Sequence, residues 1–283
     1  MSPFVEKLLQ ASRSRQSLLC VGLDPDPALL PPSVLHGRAL PEAIIAFNRA
    51  VIEATADLVC AYKPNLAFYE ALGRQAFAVF AETLAAIPRD IVTIADAKRG
   101  DIGNTARLYA QALYETFGCD AVTVNPYLGY DALEPFLAYS DRGVFVLCRT
   151  SNPGAADLQD LPVLPEGEPP RPLYQHIAAL INRWNTHGNC GLVVGATYPS
   201  ELRRVREICP NLPILIPGVG AQGGDLEAAV RAGVDANGEL AVVNVARSVL
   251  YASRGDDFAP AARAAAQALR DAINAARHRT ASG

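Results

Sequence analysis

Residues 94–105 (IADAKRGDIGNT) place Asp96, Lys98 and Asp101 within six positions of one another. They follow an apolar run at 91–95 with the character of a buried strand. Alternating strand residues face opposite sides, so Asp96 and Lys98 leave the strand's C-terminal end together. Gly100 breaks the strand, and Asp101 stands where the next helix opens; taken alone, it reads as a helix N-cap. Two acids and an ammonium converge there, at a cost in desolvation and with no packing purpose. At about 4 Å and an effective dielectric of about 20, each such contact is of order 4 kcal/mol before desolvation is subtracted. Flanking carboxylates would keep Lys98 protonated, which suits chemistry in which negative charge develops beside it. A Schiff-base role would need a depressed pKa, which the acids oppose. No Ser–His or Cys–His pairing suggests a nucleophile.

The elements around this stretch must position it. Apolar runs end near 23, 62, 96, 124, 148, 195, 217 and 246, and each is followed by a helical pattern. Near-continuous hydrophobic strands are those of a parallel sheet buried on both faces. Eight such units predict a (β/α)8 barrel, one domain over residues 1–283. An open doubly wound sheet would carry its Gly-rich turn after the first strand; here the turn, PGVGAQGG at 217–224, follows the seventh. The pattern predicts helices over 3–14, 41–56, 66–72, 74–87, 102–117, 129–140, 173–186, 199–208 and 225–232, with short helices to about 277. A Pro-rich loop is expected at 29–38. A long insert, about 152–172, separates the fifth strand from its helix; its prolines and acids predict a loop, the kind that serves as a lid or stays mobile.

Barrel sites lie at the C-terminal ends of the strands, so the polar residues there belong together. They are Asp24, Lys63, Asp96, Lys98, Asn125, Ser151, Gln222 and Arg247. Any one of them is unremarkable: Lys63 alone could be a snorkelling surface lysine. The Gly-rich turn with Pro217 and Gln222, together with Arg247 opening a helix after the eighth strand, predicts a phosphate cradle in which backbone N–H groups and a guanidinium meet an anion.

Composition bounds the rest. The 283-residue chain is half apolar and carries a formal net charge of -4, with no basic stripe for nucleic acid. Its six cysteines form no CxxC pair, and three of them (Cys20, Cys60 and Cys148) sit in apolar runs, as buried small hydrophobes do. The four histidines are too scattered to complete a zinc site. The N-terminus is an amphipathic start without signal-peptide character, and no apolar run is long enough to cross a membrane. A reducing, cytoplasmic setting is expected.

These residues resemble the orotidine 5'-monophosphate decarboxylase family. The resemblance rests on Asp96, Lys98, Asp101, Ile102 and Thr105, on the preceding Lys63, and on the 217–225 and 246–248 segments; it spans the chain from Asp24 to Arg247. RTSNPG at 149–154 and the long insert are similar to the longer bacterial branch. The resemblance implies cofactor-free, metal-free decarboxylation of orotidine 5'-monophosphate to uridine 5'-monophosphate (UMP), the last step of pyrimidine synthesis. Lys98 would stabilise and protonate the C6 carbanion, Asp96 would face the substrate carboxylate, and Lys63 and Asp101 would hold the charge network. Asp24, Lys63 and Thr105 would contact ribose, Ser151 the pyrimidine, Gln222 base and phosphate, and Arg247 phosphate. Asp101, Ile102 and Thr105 would reach a partner's site, making a homodimer with shared sites. Two alternatives stand beside this. A magnesium-dependent sugar-phosphate lyase of the same superfamily would carry a carboxylate near Lys63. A non-catalytic nucleotide-monophosphate-binding protein would be expected to have lost a member of the tetrad.

Overall fold

The computed structural model describes residues 1–219 and 224–278. Among these residues ten strands form: β1 Leu19–Leu23, β2 Ala61–Pro64, β3 Val92–Arg99, β4 Ala121–Val124, β5 Gly143–Arg149, β6 Pro162–Val163, β7 Arg171–Pro172, β8 Cys190–Val194, β9 Ile214–Ile216 and β10 Ala241–Val245. Eight close into an all-parallel barrel in the order β1-β10-β9-β8-β5-β4-β3-β2, and β6 and β7 form a separate antiparallel hairpin. The expected (β/α)8 barrel is therefore present. The helices are α1 Pro3–Arg15, α2 Pro32–Leu35, α3 Leu40–Thr55, α4 Leu66–Glu70, α5 Ala76–Ala85, α6 Gly103–Gln111, α7 Tyr130–Leu137, α8 Leu173–Trp184, α9 Pro199–Ile208, α10 Leu226–Gly233, α11 Arg247–Leu250 and α12 Phe258–His278.

Several boundaries differ from expectation, each for a physical reason. β2 starts at Ala61 and takes Lys63 into the strand, where it pairs in register with Gly22; burial beside a counter-charge overrides the usual exclusion of lysine. The Pro-rich loop holds the single-turn α2, because proline suits a first helical turn. The sixth helix passes into a π turn at Ala112–Thr116. The C-terminal region is not a string of short helices: the 21-residue α12 packs on α3 and α10. The insert is not an unstructured loop, since it contains a 3₁₀ turn at Pro153–Asp157 and the β6–β7 hairpin. Its strands are two residues long and proline-bearing, so no alternation marks them.

Two apolar layers fill the molecule. One lies between strands and helices; the other fills the barrel interior with Cys20, Cys60, Val92, Ile94, Phe145 and Leu215. α1 belongs to the second. Its Phe4 meets Phe145 edge-to-face at 5.9 Å, and a Cβ on Gly143 would lie 2.4 Å from the Phe4 ring. Lys7 pairs with Asp120 at 2.7 Å, and Ser2 Oγ donates to the Gly188 carbonyl. α1 thus plugs the N-terminal mouth, and the opposite end remains for a ligand. Phe4→Ala should cost about 3–5 kcal/mol, measured by urea unfolding. A loss under 1 kcal/mol would show that the plug is dispensable.

Candidate active site

Asp96, 9% exposed, lies in the second half of β3, three residues before its end. Its Oδ2 accepts from Lys63 Nζ at 2.7 Å. Its Oδ1 accepts from Lys98 Nζ at 2.6 Å and from Thr123 Oγ1 at 2.9 Å. Thr123 Oγ1 also accepts the Lys98 backbone N–H at 2.9 Å. Lys98 has φ +48, the left-handed region that side chains disfavour, and the β3–β4 register shifts between Ala95 and Arg99. Simple alternation therefore does not deliver Lys98. A local twist, held by Thr123 on the neighbouring strand, does. Arg99 turns away to pair with Glu70 and lie over Tyr109.

Burial opposes charge on both partners, and pairing prevails. Burial pushes the Asp96 carboxyl up, but Lys63 and Lys98 together hold it well below the usual carboxylate range. Burial likewise pushes the Lys63 ammonium down, and Asp96 and Asp24 raise it above its ordinary value. Both stay ionised through neutral pH. Asp24 is a different case. Burial raises its pKa against the pull of Lys63, and its Oδ1 is buried without a hydrogen-bond partner among the described residues.

These groups line a cavity of about 580 Å³ at the C-terminal mouth. Asp24, Lys63, Asp96, Lys98, Ser151, Pro217 and Arg247 all line it. In the strand order β9 lies diametrically opposite β3, so the expected anion cradle after β9 and β10 faces the charge cluster across the barrel. Gln222 lies outside the described residues. Asp101, Ile102 and Thr105 are not brought into this cavity. Asp101 is not a helix cap either: its Oδ1 accepts from the adjacent Ile102 N–H, and the N-cap position falls at Ile102. Ile102 is 58% exposed and Thr105 is also exposed.

The cavity also uses residues that the rim pattern does not reveal. Thr123 and Asn244 are lone polar residues inside apolar strands, 1% and 8% exposed; a polar side chain interrupting such a run was the available signal. Tyr251 ties the rim together, its hydroxyl accepting from Asp26 N at 2.6 Å and donating to the Asp24 carbonyl at 3.1 Å. Gly195 lets the β5 rim close on β8, since a Cβ there would fall 2.7 Å from Ser151.

Fold and site together define a (β/α)8-barrel protein with a lysine–carboxylate cluster facing an expected anion cradle. Residues 17–264 match the model of the orotidine 5'-phosphate decarboxylase / HUMPS family, and the chain belongs to that family. A protein of Dehalococcoides mccartyi named orotidine 5'-phosphate decarboxylase is 53% identical over 276 residues, covering 98% of this chain and 99% of its own. One of the same name from Thermomicrobium roseum is 56% identical over 271 residues, 95% of this chain and 94% of its own. The structure of Leishmania donovani OMP decarboxylase superposes with a TM-score of 0.84 at 40% identity, covering 98% of this chain and 100% of that one. Leishmania donovani UMP synthase gives 0.85 at 43%, with 98% of this chain matched to 57% of that longer chain.

Removing the Asp96 charge should strand two ammoniums. Asp96→Asn is expected to cost about 3–5 kcal/mol at pH 7. The pairing is fully present above the unfolded carboxylate value of about 3.9 and is lost as pH falls toward the depressed folded value. The stability gap between wild type and variant should therefore hold from pH 7 to about 4 and narrow below. Urea titrations across that range measure it, and a gap that never narrows would contradict the assignment.

Proposed function

We propose that this protein converts orotidine 5'-monophosphate to UMP and carbon dioxide in pyrimidine synthesis, without metal or cofactor. The observation that carries the reading is the Lys63–Asp96–Lys98 chain of contacts at 2.7 and 2.6 Å. The bond from C6 to the carboxylate breaks, carbon dioxide leaves, and the electron pair stays on C6. Lys98, its Nζ fixed by Asp96, stabilises that carbanion and then gives C6 its proton. This is preorganised electrostatic stabilisation, already in place before charge develops. Asp96 faces the departing carboxylate and favours its conversion to neutral carbon dioxide. Lys63 keeps Asp96 ionised. Asp24 and Lys63 meet the ribose, Ser151 and Gln222 the base, and Pro217, Gln222 and Arg247 the phosphate end. Residues 1–283 act as one unit.

Lys63 also weighs against the magnesium-dependent reading, because its ammonium takes the side of Asp96 where a cation would bind. An ultraviolet assay of orotidine 5'-monophosphate loss with EDTA present tests the whole proposal. Undiminished turnover is expected. Lys98→Ala should lower kcat by on the order of 10³-fold or more while UMP still binds. No turnover by pure wild-type protein would sink the reading.

The active form is a homodimer in a reducing cytoplasm. The exposure of Ile102 and Thr105, with Asp101 half-buried between the strand and α6, and the exposure of Tyr127 (83%), Leu128 and Tyr130 support the shared site; six free, buried cysteines support the compartment. No helix among the described residues is long and apolar enough to cross a membrane. If Asp101 serves the partner's site, a one-to-one mixture of inactive Lys98→Ala and Asp101→Ala proteins should regain about a quarter of the wild-type sites after subunit exchange, because each hybrid dimer holds one intact site. No recovery, with exchange verified, would place Asp101 in its own subunit's site.

A further inference from the structure

The insert brings Gln159 to the cavity wall, and two devices fix it there. The first is Thr150. Its backbone N–H can only donate, so the Gln159 atom facing it at 2.8 Å is Oε1. Nε2 then donates to Thr150 Oγ1 at 2.9 Å, and that hydroxyl passes its own hydrogen to Asn152 Oδ1 at 2.7 Å. The amide cannot flip without setting N–H against N–H. Nε2 carries two hydrogens and Thr150 takes one. The second is a donor of fixed sense on a cavity-lining side chain.

The other device is Arg149, 1% exposed at the end of β5. Its Nε lies 2.9 Å and its Nη2 3.0 Å from the two carboxylate oxygens of Asp160. Its Nη1 donates to the Thr150 carbonyl at 2.9 Å, and its guanidinium stacks over Tyr198 at 3.9 Å. Asp160 is the neighbour of Gln159, so this clamp sets where Gln159 enters. The Tyr174 N–H, at the head of α8, donates to the Gln159 carbonyl at 2.9 Å. Closing the barrel needs none of these contacts; placing Gln159 needs all of them.

We infer that Gln159 is a specificity-determining residue that donates a hydrogen bond to a carbonyl oxygen of the pyrimidine ring, with Arg149 as its positioning residue. The inference rests on the decarboxylase reading. It commits the site to a base bearing a carbonyl and against one bearing an amino group at the same place, since two facing donors cannot pair.

Calorimetric titration of the full-length protein with UMP and with cytidine 5'-monophosphate (CMP) tests it. Wild type should prefer UMP. Gln159→Leu should weaken UMP about tenfold, the net worth of one hydrogen bond, and leave CMP within roughly twofold. Gln159→Glu keeps the oxygen facing Thr150 but offers only acceptors, so preference should move toward the amino-bearing CMP. Arg149→Lys loses the planar guanidinium that meets Asp160, the Thr150 carbonyl and the Tyr198 ring together, and should erode the preference as Gln159→Leu does, while lysine retains the positive charge. Equal losses for both nucleotides, or none, in either Gln159 variant overturn the inference. If wild type neither turns over orotidine 5'-monophosphate nor binds UMP, the decarboxylase reading falls and takes this one with it. Normal turnover with an unselective Gln159 variant removes this inference alone.

Discussion

The site depends on one buried carboxylate shared by two ammoniums. Asp96 would be costly to bury alone, and so would Lys63. Each makes the other tolerable, and both remain charged because deprotonating or protonating either would strand its partner. Replacing such a cluster with apolar residues is often neutral or favourable for stability. Its presence at the mouth of a cavity therefore points to chemistry over scaffolding. The left-handed backbone at Lys98 fits the same view, since a backbone outlier of this kind costs of order 1–3 kcal/mol and persists where function over-determines it. Thr123 supplies that determination by holding both the Lys98 N–H and the Asp96 carboxylate.

The rest of the barrel keeps this cluster rigid and dry on its lower side. Below it the interior is apolar, closed by Phe4 and Phe145. At the same end Asp120 gathers Lys7, Arg142 and the Thr93 N–H and hydroxyl. Thr93 lies on the strand that carries Asp96, so α1 is tied through Asp120 to the segment on which the site stands. Arg206 plays a similar part lower in the helical layer. Its guanidinium donates to the carbonyls of Gly233, Cys209, Pro210, Leu212 and Leu240, and burial pushes its pKa down to about 10. It pins the ends of α9 and α10 where backbone acceptors would otherwise go unpaired.

The barrel was legible because each parallel strand, buried on both faces, writes itself as an apolar run. The rim residues were legible because charged and amide side chains are rare directly after such runs. What escaped is what depends on contacts between distant segments. Thr123 is an ordinary strand residue until its hydroxyl is seen between Lys98 and Asp96. Arg149 and Asp160 stand eleven residues apart, with nothing between them to announce an ion pair. The β6–β7 hairpin is held by α8 and the β5 rim, not by its own propensity. The sequence sets Lys63 just past its strand, because lysine in a strand core is normally excluded; Asp96 supplies the exception.

Asp101 shows where one chain's physics stops. The local sequence makes it a cap, yet among the described residues its carboxylate is seen to accept the next N–H and it does not line the cavity. Among those residues Lys98 is paired with Asp96, where the alternating-charge pattern calls for a second carboxylate. An exposed isoleucine next to an incompletely used acid, with Tyr127 also exposed on this rim, is a poor choice for a free surface. The homodimer we propose would make them a seam, across which a second copy would complete the charge alternation. In that proposal Lys98 would be held from two directions: from below by its own strand through Asp96 and Thr123, and from above by the partner. Assembly and activity would then be one property. The insert, anchored by Arg149 on the β5 side, would then govern which base is admitted.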